Sequence, residues 1–110
     1  TNSMQFPDKG FYYHYKHDPD GPINNYAYEV INFGYHTEMH DSGEDAIHVC
    51  YRPIYEAFVY KQGKLFDIRP LKMFMESVEI NGKSVSRFQK ITEPHVLDEL
   101  RKIKMEMYGE

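Results

Sequence analysis

A chain of 110 residues, 41% hydrophobic and 27% charged, has the size and make-up of one globular domain. A net charge of −4, with the six histidines counted neutral, argues against the generally basic surface that grips nucleic acid through its phosphates. One cysteine, Cys50, excludes an internal disulfide scaffold and fits a reducing, cytoplasmic setting, and no apolar run approaches the ~20 residues that cross a bilayer.

Residues 1–9 read as a tail without the basic flank and apolar stretch of a signal peptide, Thr1 to Ser3 being an added remnant ahead of a native Met4. Phe11 to Lys16 is aromatic-rich and predicts a first strand. His17 to Pro22, with two prolines, a glycine and two aspartates, predicts a loop on turn chemistry. From Tyr26 to Phe33 the side chains alternate: Tyr26, Tyr28 and Val30 fall on one face, and Ala27, Glu29, Ile31 and Phe33 on the other. Gly34 stands where a bend or bulge is natural.

Glu38 to Asp45 is polar and predicts a second exposed loop. Ile47, Val49 and Tyr51 alternate with His48, Cys50 and Arg52 in a third strand that Pro53 stops. Ile54 to Tyr60 and Leu65 to Ile68 flank Lys61-Gln62-Gly63-Lys64 and predict a hairpin. Pro70 suits the first position of a short helical turn, with Leu71 and Phe74 inward. Val78 to Ile80 and Val85 to Phe88 enclose Asn81-Gly82, the strongest hairpin signal in the chain. Thr92 caps a last helix, along which Val96, Leu97, Leu100, Ile103 and Met107 recur at helical spacing.

The fold class expected is therefore mainly β. Close-spaced strands joined by tight turns predict a small SH3-like barrel or roll of about five or six strands over residues 10–91. A 3-10 or helical turn near Pro70 and an amphipathic C-terminal α-helix over residues 92–110 complete it. An open α+β sheet covered by that helix is the alternative. The chain is rich in Tyr, with ten, beside seven Phe and no Trp, which suits a thin β-structure whose side chains run from core to surface.

Several blocks in order resemble a known family: Gly10-Phe11-Tyr12-Tyr13-His14-Tyr15-Lys16, Tyr28-Glu29-Val30, Gly34-Tyr35-His36-Thr37-Glu38 and Tyr51-Arg52-Pro53-Ile54-Tyr55. Ile68-Arg69-Pro70-Leu71-Lys72-Met73-Phe74 follows with Glu76 and Val78, then Asn81-Gly82-Lys83 and Arg87-Phe88. Over Gly10 to Ile91 they resemble the small bacterial domains of domain-of-unknown-function family 1653. That resemblance implies an SH3-type barrel and no named activity. Members often carry a Trp where this chain has Phe66-Asp67, and a shorter turn where it has the loop from His17 to Asn25.

Three arginines, Arg52, Arg69 and Arg87, stand in those blocks, two of them before a proline at a strand end. A guanidinium is a fixed fork for carboxylate or phosphate. The leading expectation is a noncatalytic binding module whose rim carries Tyr15, Lys16, His36, Arg52, Tyr55, Arg69 and Arg87. Its ligand would be an anionic small molecule, a nucleotide or an acidic peptide. The structural alternative pairs the arginines with Glu29, Glu38, Glu56 or Glu76. An enzymatic alternative, a small hydrolase or isomerase, uses His36 with Glu38 as acid–base pair and Arg52 as electrophilic partner, His14 being a further titrating candidate.

Tyr15, Tyr35, Tyr55 and Tyr60 could make a stacking platform, although such platforms come with a basic groove. His36 and His40 are four apart on a loop, and without Cys partners the histidines give no zinc pattern, so no metal and no cofactor is implied. Cys50, alternating in a strand, reads as a small buried hydrophobe rather than a nucleophile. The last expectation is a protein partner or homodimer contacted through the C-terminal helix, if its apolar stripe does not lie on the domain itself.

Overall fold

The computed structural model describes residues 5–39 and 43–110, Glu44 by its backbone alone. Thr1 to Met4, read as a remnant and native start, and His40, read as spaced from His36, lie outside the described residues. The strands are β1 (Gly10–His14), β2 (Ala27–Tyr35), β3 (Ile47–Pro53), β4 (Asp67–Pro70), β5 (Ser77–Ile80), β6 (Lys83–Ser86) and β7 (Phe88–Lys90). The helices are α1 (Phe58–Lys61), α2 (Leu71–Met75) and α3 (Pro94–Tyr108), with 3-10 turns at Thr37–Met39 and Gly43–Ala46. The chain is mainly β, with a short helix after Pro70 and a C-terminal α-helix. Five antiparallel strands form one sheet in the order β4-β3-β2-β1-β7, so the last strand returns beside the first, and β5 and β6 form a separate hairpin.

Period-two alternation makes this a three-layer arrangement. Tyr12, Val30, Val49, Tyr51 and Phe88 point to one face and are covered by Leu71 and Phe74 of α2. Phe11, Ala27, Ile54 and Ile91 point to the other and are covered by Val96 and Leu100 of α3. The α3 stripe thus lies on its own sheet. Leu100 is fully buried, and burial of such a side chain is worth about 1.5–3 kcal/mol. Tyrosines serve both layers by burying their rings and delivering their hydroxyls to backbone at the edges: Tyr12 donates to Asp8 O at 2.7 Å, Tyr60 to Met107 O at 3.2 Å and Tyr108 to Pro53 O at 2.6 Å.

Four local expectations are corrected. The register of β2 on β3 slips between Val30 and Asn32, a bulge that makes Ile31 the extra residue. Phe33 therefore joins Tyr28 and Val30 on the α2 face instead of Ala27 and Glu29 on the other. The hairpin expected around Lys61 to Lys64 does not form. After Pro53 the chain leaves the ladder, drops Ile54 into the α3 layer and makes one helical turn at Phe58–Lys61. Gly63 (φ 98°) and Lys64 (φ 57°) then reverse it, and β4 pairs with β3 instead. Packing of Ile54 overrides the β-propensity of Val59 and Tyr60.

Pro70 is the residue before α2 rather than its first, at φ −52° and ψ 137°. The residue before α3 is Glu93 rather than Thr92; it makes no side-chain cap bond, and Pro94 fills the first turn where a missing N–H costs nothing. The Asn81-Gly82 hairpin forms as expected, both residues at positive φ (51° and 79°) in the turn that two-residue hairpins prefer. No described helix is long and apolar enough to cross a membrane.

Candidate functional site

On the α2 face every strand of the sheet contributes to one row. Phe88 of β7 stands opposite His14 of β1; Tyr28 comes from β2, Tyr51 from β3, and Tyr51 stands opposite Asp67 of β4. The rings meet edge to face: His14 and Phe88 at 5.1 Å between centroids, Tyr28 and Phe88 at 5.8 Å, Tyr28 and Tyr51 at 5.5 Å. Phe74 closes the α2 end, stacked on Phe88 at 4.2 Å. At the other end Tyr26 and Tyr55 extend the row, 5.9 Å apart, and Tyr26 lies 5.7 Å from His14. Tyr26 is 38% exposed and holds a left-handed backbone (φ 52°), which costs a non-glycine residue roughly 1 kcal/mol or more. This end of the row is open.

Its electrostatics are set by partial burial. The His14 imidazole is held down at about 4, first by burial and then by the positive charges of Lys16, Arg69 and Arg87. It is neutral at pH 7, and its Nδ1 accepts the backbone N–H of Lys16 at 3.2 Å. Burial pushes the phenols of Tyr28, Tyr51 and Tyr55 up, and Tyr28 and Tyr55 share a hydroxyl–hydroxyl bond. The Asp67 carboxyl is raised by burial against the opposing pull of Arg69. The outcome is a neutral, hydrogen-bonding aromatic wall flanked by cations, with one carboxyl within reach of Arg69. A histidine held near 4 is a poor proton acceptor at neutral pH, so the wall suits binding better than acid–base chemistry.

The residues singled out by sequence divide into three groups. Tyr15, Lys16, Tyr55, Arg69 and Arg87 gather at this row: Tyr15 lies 4.4 Å from the His14 ring, and Arg69 donates from Nε to the Tyr51 hydroxyl at 3.1 Å. Arg87 also bonds Glu76 Oε1 at 3.0 Å and Met73 O at 3.2 Å, tying the strand after the hairpin to α2. Tyr26, Tyr28, Tyr51 and Asp67 belong to the same row without having been singled out. Their signal was the shared parity of Tyr26 and Tyr28, together with a pairing of β3 on β4 that no short-range pattern announces.

Arg52 lies on the opposite face, 4% exposed, across from Glu29 in the β2–β3 register. Glu29 Oε1 accepts its Nε and Nη2 at 3.3 and 3.2 Å, Glu110 accepts its Nη2 at 3.0 Å, and the guanidinium stacks over Tyr108 at 4.0 Å. Lys104 completes the cluster at 2.8 Å from Glu29 Oε2. Arg52 thus realises the structural alternative, as does Arg87 with Glu76.

His36 and Glu38 are at the far end of β2, both exposed, without a carboxylate–imidazole bond between them. The neighbour of His36 is His48, 5.6 Å between ring centroids, with Cys50 and Gly34 lining the same shallow hollow of about 210 Å³. Arg52, needed as their electrophile, is committed to Glu29 instead. Cys50 is half-buried. Among the described residues no three His, Cys, Asp or Glu converge as a metal set. Tyr35 and Tyr60 stand apart from Tyr15 and Tyr55, Tyr60 packing on Tyr108 of α3, so the expected stacking platform does not assemble from those four.

The family model described as Protein of unknown function (DUF1653) matches residues 10–90, and the chain belongs to that family. No curated protein and no solved structure matches it.

Proposed function

We propose that this domain is a noncatalytic binding module for a planar anion, a nucleotide above all, held on the open end of the α2-face row. Tyr26 and Tyr55 supply the stacking faces, and Arg69 and Lys16 the anion contacts, with Arg87 and Tyr15 at the margin. The observation that carries this reading is Arg69. Among the described residues it carries no ion pair and bonds only through Nε, so both Nη groups remain to fork onto a phosphate or carboxylate. Lys16 is exposed, acts with Arg69 on the His14 imidazole and likewise carries no ion pair among the described residues.

Asp67 gives the site a polarity. An anion is disfavoured at the Tyr55–Asp67 end and favoured at the His14 end, while Asp67 and the Tyr28–Tyr55 hydroxyl pair accept from an N–H edge. A base carrying ring N–H or amino groups and a phosphate meets both demands. The return of β7 beside β1 in a five-strand order supports the SH3-like roll as the scaffold, and the single cysteine fits a cytoplasmic setting.

The test is calorimetric titration with nucleoside monophosphates, preceded by a thermal-shift screen. A ligand at about 100 times its Kd stabilises by about 2.7 kcal/mol, a clear rise in Tm for this chain length. Arg69→Ala should weaken binding about tenfold or more, the worth of a charged hydrogen bond. Affinity unchanged in Arg69→Ala, or no response to any nucleotide, would overturn the proposal.

A further inference from the structure

A larger cleft lies on the other side of the sheet, between the start of β1, the end of β7 and the outer side of α3. Its volume is about 710 Å³, within the ~300–1,000 Å³ typical of small-molecule sites. Phe11, Ile91, Leu97 and Met105 give it an apolar lining; Phe11 and Ile91 are each 6% exposed, whereas Met105 is 57% exposed and open to a ligand.

The charged lining is lopsided in a chain whose net charge is −4. Lys9, Lys90, Arg101 and Lys104 face two carboxylates, Glu29 and Glu110; the buried Arg52 engages both and Lys104 is paired with Glu29, which leaves Lys9, Lys90 and Arg101 toward an incoming anion. Arg101 reaches Asp98 only across an exposed pair at 3.1 Å, of the kind that exchanges readily for another anion. Lys90 donates to Lys9 O at 3.3 Å and its Nζ lies 5.5 Å from the Tyr12 ring, which holds this one cation at the sheet edge above Gly10, on the rim of the cleft.

We infer that this cleft is a second binding site, for a small amphiphilic anion: an apolar chain or ring on Leu97 and Met105, over the edges of Phe11 and Ile91, with a carboxylate or phosphate head between Lys90 and Arg101. The apolar lining supplies area, and the cations supply the charge-assisted bonds that select an anionic head over a neutral one. Glu110, an exposed carboxylate forked onto Arg52 at the same cleft, repels such a head. The site is independent of Arg69 and of the nucleotide reading, and either can fail without the other.

Amide NMR titration of the full chain with octyl phosphate, octanoate, octanol and inorganic phosphate tests it. Octyl phosphate or octanoate should shift the amides of Gly10, Phe11, Ile91 and Leu97, and bind about tenfold or more tighter than octanol or phosphate. Whichever head binds better names its class. The exposed double variant Lys90→Gln with Arg101→Gln should lose that preference and keep the dispersion of a folded spectrum. Glu110→Gln should bind more tightly than the parent, and Arg69→Ala as tightly. Alkyl anions no better than octanol, shifts outside these residues, or a double variant that binds unchanged would each overturn the inference.

Discussion

Arg52-Pro53 closes β3 and Arg69-Pro70 closes β4, two strands that pair with each other, yet the two arginines have opposite fates. Arg52 on an interior strand is sealed under α3 between Glu29, Glu110 and the Tyr108 ring. Arg69 on the edge strand leans along the aromatic row with one bond, to Tyr51. The difference comes from parity. Arg52 stands opposite Glu29 and shares its face, whereas Arg69 stands opposite Val49 and shares the face of Tyr51. A desolvated guanidinium must be paired to be tolerated, while one at an edge keeps water on its outer side and stays available. Identical dipeptides thus make a buried structural tie in one place and leave a guanidinium with a single hydrogen bond in the other.

The largest effect should come from breaking the tie. Arg52→Ala leaves Glu29 buried with Lys104 alone and should destabilise by about 3–5 kcal/mol in urea unfolding; a loss under about 1 kcal/mol would erase the distinction between the two arginines. Glu29→Gln, which keeps the shape but removes the central charge, should cost about 1–3 kcal/mol by the same measurement. Arg69→Ala should change stability by about 1 kcal/mol or less, since it removes one neutral-acceptor bond at a half-buried edge.

The same variant sharpens the comparison through His14. Arg69 is one of the charges that hold this imidazole at about 4, so Arg69→Ala should raise its NMR titration midpoint, and Glu110→Gln on the far face should leave it in place. The stability linkage has a definite sign. With the folded value below the usual 6.5, the unfolded chain takes up the proton first as pH falls. The contribution is whole above about pH 6.5, declines as pH drops, and is spent below about pH 4; His14→Gln should flatten that part of the profile. The smallest effect belongs to the exposed helix pair of Lys102 and Glu99, where Glu99→Ala should stay within about 0.5 kcal/mol.

Much of the scaffold could be read from the sequence because its signals are local. Alternation over Phe11 to His14 and Ile47 to Arg52 marks strands, the Asn81-Gly82 pair marks a hairpin whose two residues take positive φ, and the stripe from Val96 to Met107 marks α3. Five of the seven residues expected on the rim do come together: Tyr15, Lys16, Tyr55, Arg69 and Arg87 gather around His14 because each stands at or just beyond a strand end on the α2 side. His36 and Arg52 share that position in sequence without sharing the place in space.

By itself the sequence determined a mainly β chain with a C-terminal amphipathic helix, because backbone propensity, turn chemistry and side-chain periodicity act within a few residues. Tertiary structure alone decided which face each side chain meets. The bulge at Ile31 moved Phe33 to the α2 layer, and Pro53 sent Ile54 beneath α3 in place of a hairpin strand. The register of β4 on β3 put Asp67 and Arg69 beside Tyr51 while Arg52 closed on Glu29. Those outcomes depend on pairings between distant segments, where a shift of one residue exchanges the two faces of a strand, and no local pattern carries that information.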